Sequence, residues 1–334
     1  MTKNPKHKTT SQLLQTGVMP CLYVMMFSSG RTSATLAKYI KSNAKYENVI
    51  YVFLNTGKEK EESLIFADRC DKEFGLNLIW LEAVINNEKG KGTTYKIVDF
   101  KTASRNGEPF EAMLGKYYLP NNASGMNCTR ELKQRPIDAF LRDKSIEFMF
   151  WKWLPNKVDE TSFKNLINEP HLQQTTIYRK FKEENPFLIK RIIGIRADEA
   201  HRKSIHAEKE GFIYPFCDEV PVNSQNIRKF WSEMPFDLEL KDYEGNCDLC
   251  FKKSLKKRLT IINENPKVAD WWKKMEDKHS SEESPRFDMR TNLTIQEQID
   301  LSKKPFKKAM DLFELSKQQT ELFEFETDCF CKAT

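Results

Sequence analysis

The chain has 334 residues, of which 31% are charged and 39% hydrophobic, and carries a formal net charge of +6. That length suits one large domain or two ordinary ones. The absence of any apolar run of about 18 residues excludes a membrane-spanning helix, and so mild a charge admits anionic ligands without establishing nucleic-acid binding.

The opening stretch MTKNPKHKTTSQLLQTG carries lysines but no apolar core of signal-peptide length, so a cytoplasmic location is expected. CLYVMMF (21–27) is apolar and β-favouring and predicts a buried strand; residues 33–43 have helical spacing. NVIYVFLN (48–55) predicts a second strand, 58–75 a helix closing on Gly75, and LNLIWLE (76–82) a third strand. Strands alternating with helices predict an α/β domain with a parallel sheet. A loop-rich segment follows, with NGEPF at 106–110 and PNNASGMNC at 120–128. TRELKQRPIDAFL (129–141) predicts a helix with Pro136 at a kink or start, and SIEFMF (145–150) a strand. Residues 151–189 show no clear period and read as an insertion. RIIGIRADE (191–199) returns to strand then loop, and the remainder to 320 reads mainly as helix.

Ligands of parallel sheets bind beyond the carboxyl ends of the strands. Two polar loops fall there, FSSGRTSA (27–34) and NTGKE (55–59). In the first, Ser28, Ser29, Gly30, Thr32 and Ser33 lead a strand into a helix, where free N–H groups and the positive dipole end suit a phosphate. A plain cap and turn is the alternative reading. Neither GxxxxGK[ST] nor GxGxxG occurs. Asn55, Thr56 and Gly57 offer hydrogen bonds and close approach to a ligand, or a strand-to-helix cap. Glu59 matches a helix first turn. Arg196 and Arg202 offer guanidinium forks to phosphate or sulfate, or surface ion pairs with Asp198 and Glu199. His201 and His206 read as exposed residues.

The eight cysteines are 21, 70, 128, 217, 247, 250, 329 and 331. In a reducing compartment, clustered cysteines point to metal or redox chemistry. Cys21 and Cys70 lie in apolar patterns and read as core. Cys247 and Cys250 form CxxC, a spacing that serves one metal, one cluster iron or a redox pair. The basic run KKSLKKR (252–258) reads as a solvated helix face, and Trp271 and Trp272 as core or interface anchors.

FSSGRTSA resembles the PP-loop, the pyrophosphate-binding signature of the adenine nucleotide α-hydrolase superfamily. VFLNTGKEKEESLIFADRC, NCTRELKQRPI, GIRADEAHRK and EGNCDLCFKKS resemble, in order, segments of phosphoadenosine phosphosulfate (PAPS) reductase-like proteins, and together the pieces span residues 20–280. The resemblance implies an α/β, Rossmann-like PP-loop domain over 20–240, interrupted at 151–189, with an extension at 1–19 and a helical, cysteine-bearing part at 241–334. It implies an enzyme performing sulfur redox or sulfur-transfer chemistry on an adenine nucleotide, PAPS or ATP, held by Ser28, Ser29, Gly30, Arg31, Thr32, Ser33, Asn55, Thr56, Gly57, Arg196 and Arg202. Two positions depart from the pattern: Ser29 stands for a glycine, and Thr32 for an aspartate that helps activate ATP in ATP-cleaving members.

Cluster-bearing relatives hold a [4Fe–4S] cluster through a cysteine pair matching residue 128 and a later CxxC. Here Thr129 replaces the second cysteine of the pair. The implied ligand set is Cys128, Cys217, Cys247 and Cys250, with zinc as the alternative metal. The tail ETDCFCKAT places Cys329 and Cys331 where reductases carry a nucleophilic cysteine, resolved by thioredoxin or a similar thiol, although the usual Gly and His do not follow. Two other functions stay open. One is an ATP-pyrophosphatase-type sulfurtransferase modifying tRNA or DNA, with KKSLKKR on the nucleic acid. The other is a non-catalytic nucleotide-binding or regulatory module.

Overall fold

The computed structural model describes residues 21–88, 90–121, 125–153, 188–245, 247–282 and 284–311. Cys329 and Cys331 lie outside the described residues. Strands β1 (Cys21–Phe27), β2 (Val49–Asn55), β3 (Ile79–Val84), β4 (Thr94–Val98), β5 (Leu188–Ile192) and β6 (Phe212–Ile213) form one sheet in the order β4–β3–β2–β1–β5–β6. Every neighbouring pair is parallel except β3 with β4. From β1 the chain builds β2 and β3 on one side, then returns to lay β5 on the other. The order therefore reverses between β1 and β5, which makes their carboxyl ends the switch point where ligands of open α/β sheets bind.

Both sheet faces are covered, as a parallel sheet requires. Side chains alternate along each strand. Met25, Phe27, Tyr51 and Phe53 join one buried cluster with α1 (Arg31–Ser42), α2 (Glu61–Phe74) and α5 (Ser224–Ser232). Leu22, Val24, Val52 and Leu54 join another with Ile137, Phe140 and Leu141 of α4 (Arg135–Trp153). A third cluster unites α3 (Glu108–Tyr117) with α6 (Leu255–Glu264), α7 (Val268–His279) and α8 (Ile295–Ser302). Phe110, Met113 and Leu114 of α3 pack there with Trp272 and Met275 of α7. The C-terminal helices thus complete their core with a helix of the N-terminal part. Among the described residues no helix is long and apolar enough to cross a membrane.

Residues 145–150, expected as a strand, continue α4 to Trp153. The run has no Gly or Pro to stop the helix, and the seat beside β1 is taken by β5. The chain before α4 is an α-turn (Asn127–Thr129) followed by a π-turn (Arg130–Gln134). Pro136 has no N–H to return to the preceding turn, and the wider turn accommodates its ring. The antiparallel β4 escapes sequence reading because its exposed edge has no apolar alternation; even Ile97 is 61% exposed.

Candidate functional site

The loop after β1 is closed by one hydroxyl. Ser33 Oγ accepts from Ser28 N at 3.2 Å, Ser28 Oγ at 3.1 Å and Gly30 N at 3.3 Å, and donates to Gly30 O at 2.9 Å. Ser29 adopts φ 51°, the left-handed region that favours glycine. Ser29 and Ser33 are both buried. The chain after β5 comes up against this loop: a Cβ on Gly194 would lie 3.3 Å from the Ser33 Cα. Two residues on, Arg196 donates from Nη1 to Thr32 Oγ1 at 3.2 Å. Its guanidinium also pairs with Asp198 at 3.0 Å and Glu199 at 3.3 Å. Arg202 shares Glu199. Ser28–Ser33 and Arg196 therefore meet at the switch point. Arg31 turns away: Nε and Nη2 form a two-pronged pair with Asp237 (2.7 and 3.0 Å), and Nη2 also donates to Leu238 O. Its side chain ties the loop to segment 237–240.

The turn after β2 is a closed unit. Asn55 is fully buried and donates to Glu82 Oε1 at 2.6 Å and to Ser104 O at 2.9 Å, while its Oδ1 accepts from Gly57 N. Thr56 N and Oγ1 both donate to the Glu59 carboxylate, at 2.8 and 2.9 Å. Gly57 has φ 77°, and a Cβ there would lie 3.2 Å from the Gly107 Cα. These side chains close the turn on itself; Lys60, the N-cap residue of α2, makes no side-chain cap bond.

Of the four implied metal ligands, Cys250 acts electrostatically on both Cys128 and Cys247. Cys247 Sγ lies 3.6 Å from Thr56 Oγ1. It senses the charges of Glu59, Lys133 and Cys250; Cys128 senses Cys250, Lys133 and Lys252. Burial, then Cys250, pushes the Cys128 thiol up to about 11 against the pull of Lys133. Burial and Glu59 push Cys247 up as well. Lys253 Nζ shapes the cysteine loop by donating to Gly245 O at 2.8 Å and Cys247 O at 2.6 Å.

Cys217 is elsewhere. Its thiol donates to Ile195 O at 3.3 Å and Arg196 O at 3.2 Å, among Lys203, Asp218, Glu199 and Asp198. Among the described residues no group of three or more His, Cys, Asp or Glu stands in metal-holding geometry. The four-thiolate set expected from the resemblance does not fit this arrangement, chiefly because Cys217 braces the Arg196 turn.

Sequence reading also missed several residues. Lys133 shares the NCTRELKQRPI segment with Cys128, but only folding brings its charge to bear on the distant Cys247 thiol. Lys58 and Asp248 form a buried ion pair (2.9 Å); the visible signal was an acid between the two cysteines of CxxC. The basic run 252–258 is not wholly solvated: Lys253 and Arg258 are buried and bonded inward, Arg258 to Asp288 and to Phe251 O. Trp272 is a core residue, as expected, while Cys21 is only half-buried.

No family model and no solved structure matches the chain. It is similar to the uncharacterized nin region protein ORF290 of Escherichia phage lambda, at 28% identity over 238 residues, covering 70% of this chain and 67% of that protein.

Proposed function

We propose that the chain binds an adenine nucleotide in a PP-loop at the switch point between β1 and β5, and performs sulfur redox or sulfur-transfer chemistry on it. The observation that carries this reading is the contact of Arg196 with Thr32, which sets a permanently charged fork at the N-terminal end of α1. A phosphate or sulfate there meets the first N–H groups of the helix, the dipole end and the guanidinium together. To bind it, Arg196 exchanges Asp198 and Glu199 for the incoming anion. The thiols of Cys128, Cys247 and Cys250 supply sulfur-handling groups one strand away.

PAPS is preferred to ATP as the nucleotide. Thr32 offers a hydroxyl where the resemblance places a carboxylate in ATP-cleaving members, so the group that would help to activate ATP is absent from this loop. In the reductase version a thiolate attacks the sulfonate sulfur and the nucleotide bisphosphate leaves; a second thiolate then attacks the sulfur of the first thiol, forming a disulfide and expelling sulfite, so the two thiols supply the two electrons.

The test is calorimetric titration of reduced, anaerobically purified protein with PAPS and with ATP, followed by turnover. PAPS binding with sulfite released from a dithiol reductant supports the reading. ATP binding with pyrophosphate release moves it to the sulfurtransferase class. Binding without turnover marks a regulatory module, and no binding of either nucleotide overturns the proposal.

A further inference from the structure

The turn after β2 and the cysteine loop interlock more tightly than either needs in order to close. Lys58 is 8% exposed. Its ammonium lies 2.9 Å from Asp248 Oδ2 and 4.5 Å from the centroid of the Trp271 ring. Asp248 N donates to Lys58 O at 2.9 Å, and Trp272 Nε1 donates to Asp248 Oδ1 at 2.6 Å. Glu59 and Cys247 form an antiparallel bridge, and Lys60 pairs with Glu244. Beneath them Gly107 leaves no room for a side chain, since a Cβ would meet the Trp271 ring at 2.5 Å. Burying an ammonium is costly unless an opposite charge and a π face receive it. Here both receivers are built, and the opposite charge is the residue directly after Cys247.

We propose that Lys58 is a positioning residue. Through Asp248 it sets the register of segment 247–250, which holds Cys247 Sγ against Thr56. The turn follows β2, which pairs with β1 below the proposed nucleotide site, so nucleotide occupancy and Cys247 reactivity are coupled through this latch. The coupling rests on the nucleotide reading above; the latch itself does not.

The test follows alkylation of individual cysteines by N-ethylmaleimide in the full-length reduced protein, read by peptide mass spectrometry. Cys70, fully buried in the main core, serves as the internal measure of folding. Lys58→Met and Asp248→Asn are each expected to speed Cys247 labelling on the order of tenfold, through local opening, while Cys70 stays protected. In the parent, PAPS or ATP is expected to slow Cys247 labelling by about threefold or more, and this protection is lost in Lys58→Met. Unchanged Cys247 labelling in both folded variants overturns the latch. If Cys70 becomes labelled together with Cys247 in both variants, the pair serves global stability and the positioning role is overturned. Faster Cys247 labelling in the variants, with no nucleotide effect in the parent, leaves the latch standing and removes the coupling to nucleotide.

Discussion

Arg196 and Thr32 are 164 residues apart in the chain, and the guanidinium of one donates to the hydroxyl of the other at 3.2 Å. The contact joins the loop after β5 to the first turn of α1. It places a fixed positive charge where the sheet order reverses. Cys217 supports it from behind through the Ile195 and Arg196 carbonyls.

At the proposed nucleotide site, Arg196→Ala should therefore weaken PAPS binding by about 10- to 100-fold, the scale of one or two lost charge-assisted hydrogen bonds. Calorimetric titration of parent and variant with PAPS checks this. An unchanged affinity would place the anion elsewhere.

The cysteines should separate by location in a metal assay. Iron and zinc are measured in anaerobically purified parent and in the Cys128, Cys217, Cys247 and Cys250 to Ala variants. Cys217→Ala is expected to match the parent, because its thiol is held by two backbone carbonyls and not by the other thiols. Loss of metal in Cys217→Ala alongside the other three would restore the four-thiolate set.

Gly107 and Gly75 both have positive φ, 85° and 60°, but only Gly107 is enclosed. Gly75→Ala meets nothing within 4 Å and should cost only the left-handed strain, about 1 kcal/mol. Gly107→Ala must also displace the Trp271 ring or Lys58, and should cost about 2–4 kcal/mol. Urea unfolding followed by tryptophan fluorescence measures both; equal costs would mean that the Trp271 contact yields freely.

Arg258 and Asp288 form a buried pair, 1% and 0% exposed. Burial raises the Asp288 carboxyl, but the Arg258 bond and charge, Thr291 and Arg290 N outweigh it and leave it below its ordinary value. A carboxyl depressed on folding adds stability that is fully present above its unfolded pKa of about 4. That stability is lost as pH falls from there through the folded value. Urea midpoints between neutral and acid pH should show this drop in the parent and lack it in Arg258→Met/Asp288→Leu. Arg258→Met alone should lose about 3–5 kcal/mol at neutral pH, because it strands a buried carboxylate. An undiminished acid drop in the double variant would assign it to other carboxyls.

Much of the sheet was legible because it is local. CLYVMMF, NVIYVFLN and LNLIWLE are near-continuous apolar runs of the kind a doubly covered parallel strand needs, and each is followed by a helix or turn signal. The polar loop at 27–34 was legible for the same reason: its residue types are those of a strand-to-helix turn. SIEFMF failed as a strand because a short apolar run has the same composition in either state. What decides it is that β5 already occupies the place beside β1.

The sequence by itself determined the alternation of strand and helix, the loop that opens α1 and the spacing of Cys247 and Cys250, since each depends on neighbours a few residues away. Only the tertiary structure decided which charged group serves which loop. Arg31, inside the loop, is drawn to Asp237, while Arg196, far along the chain, reaches Thr32. Cys217 leaves the other thiols for two carbonyls, and Lys58 is buried against the residue that follows Cys247. Ion pairs and thiol contacts act through space over a few ångströms, so no spacing along the chain records them. They follow from the order in which the strands are laid beside β1.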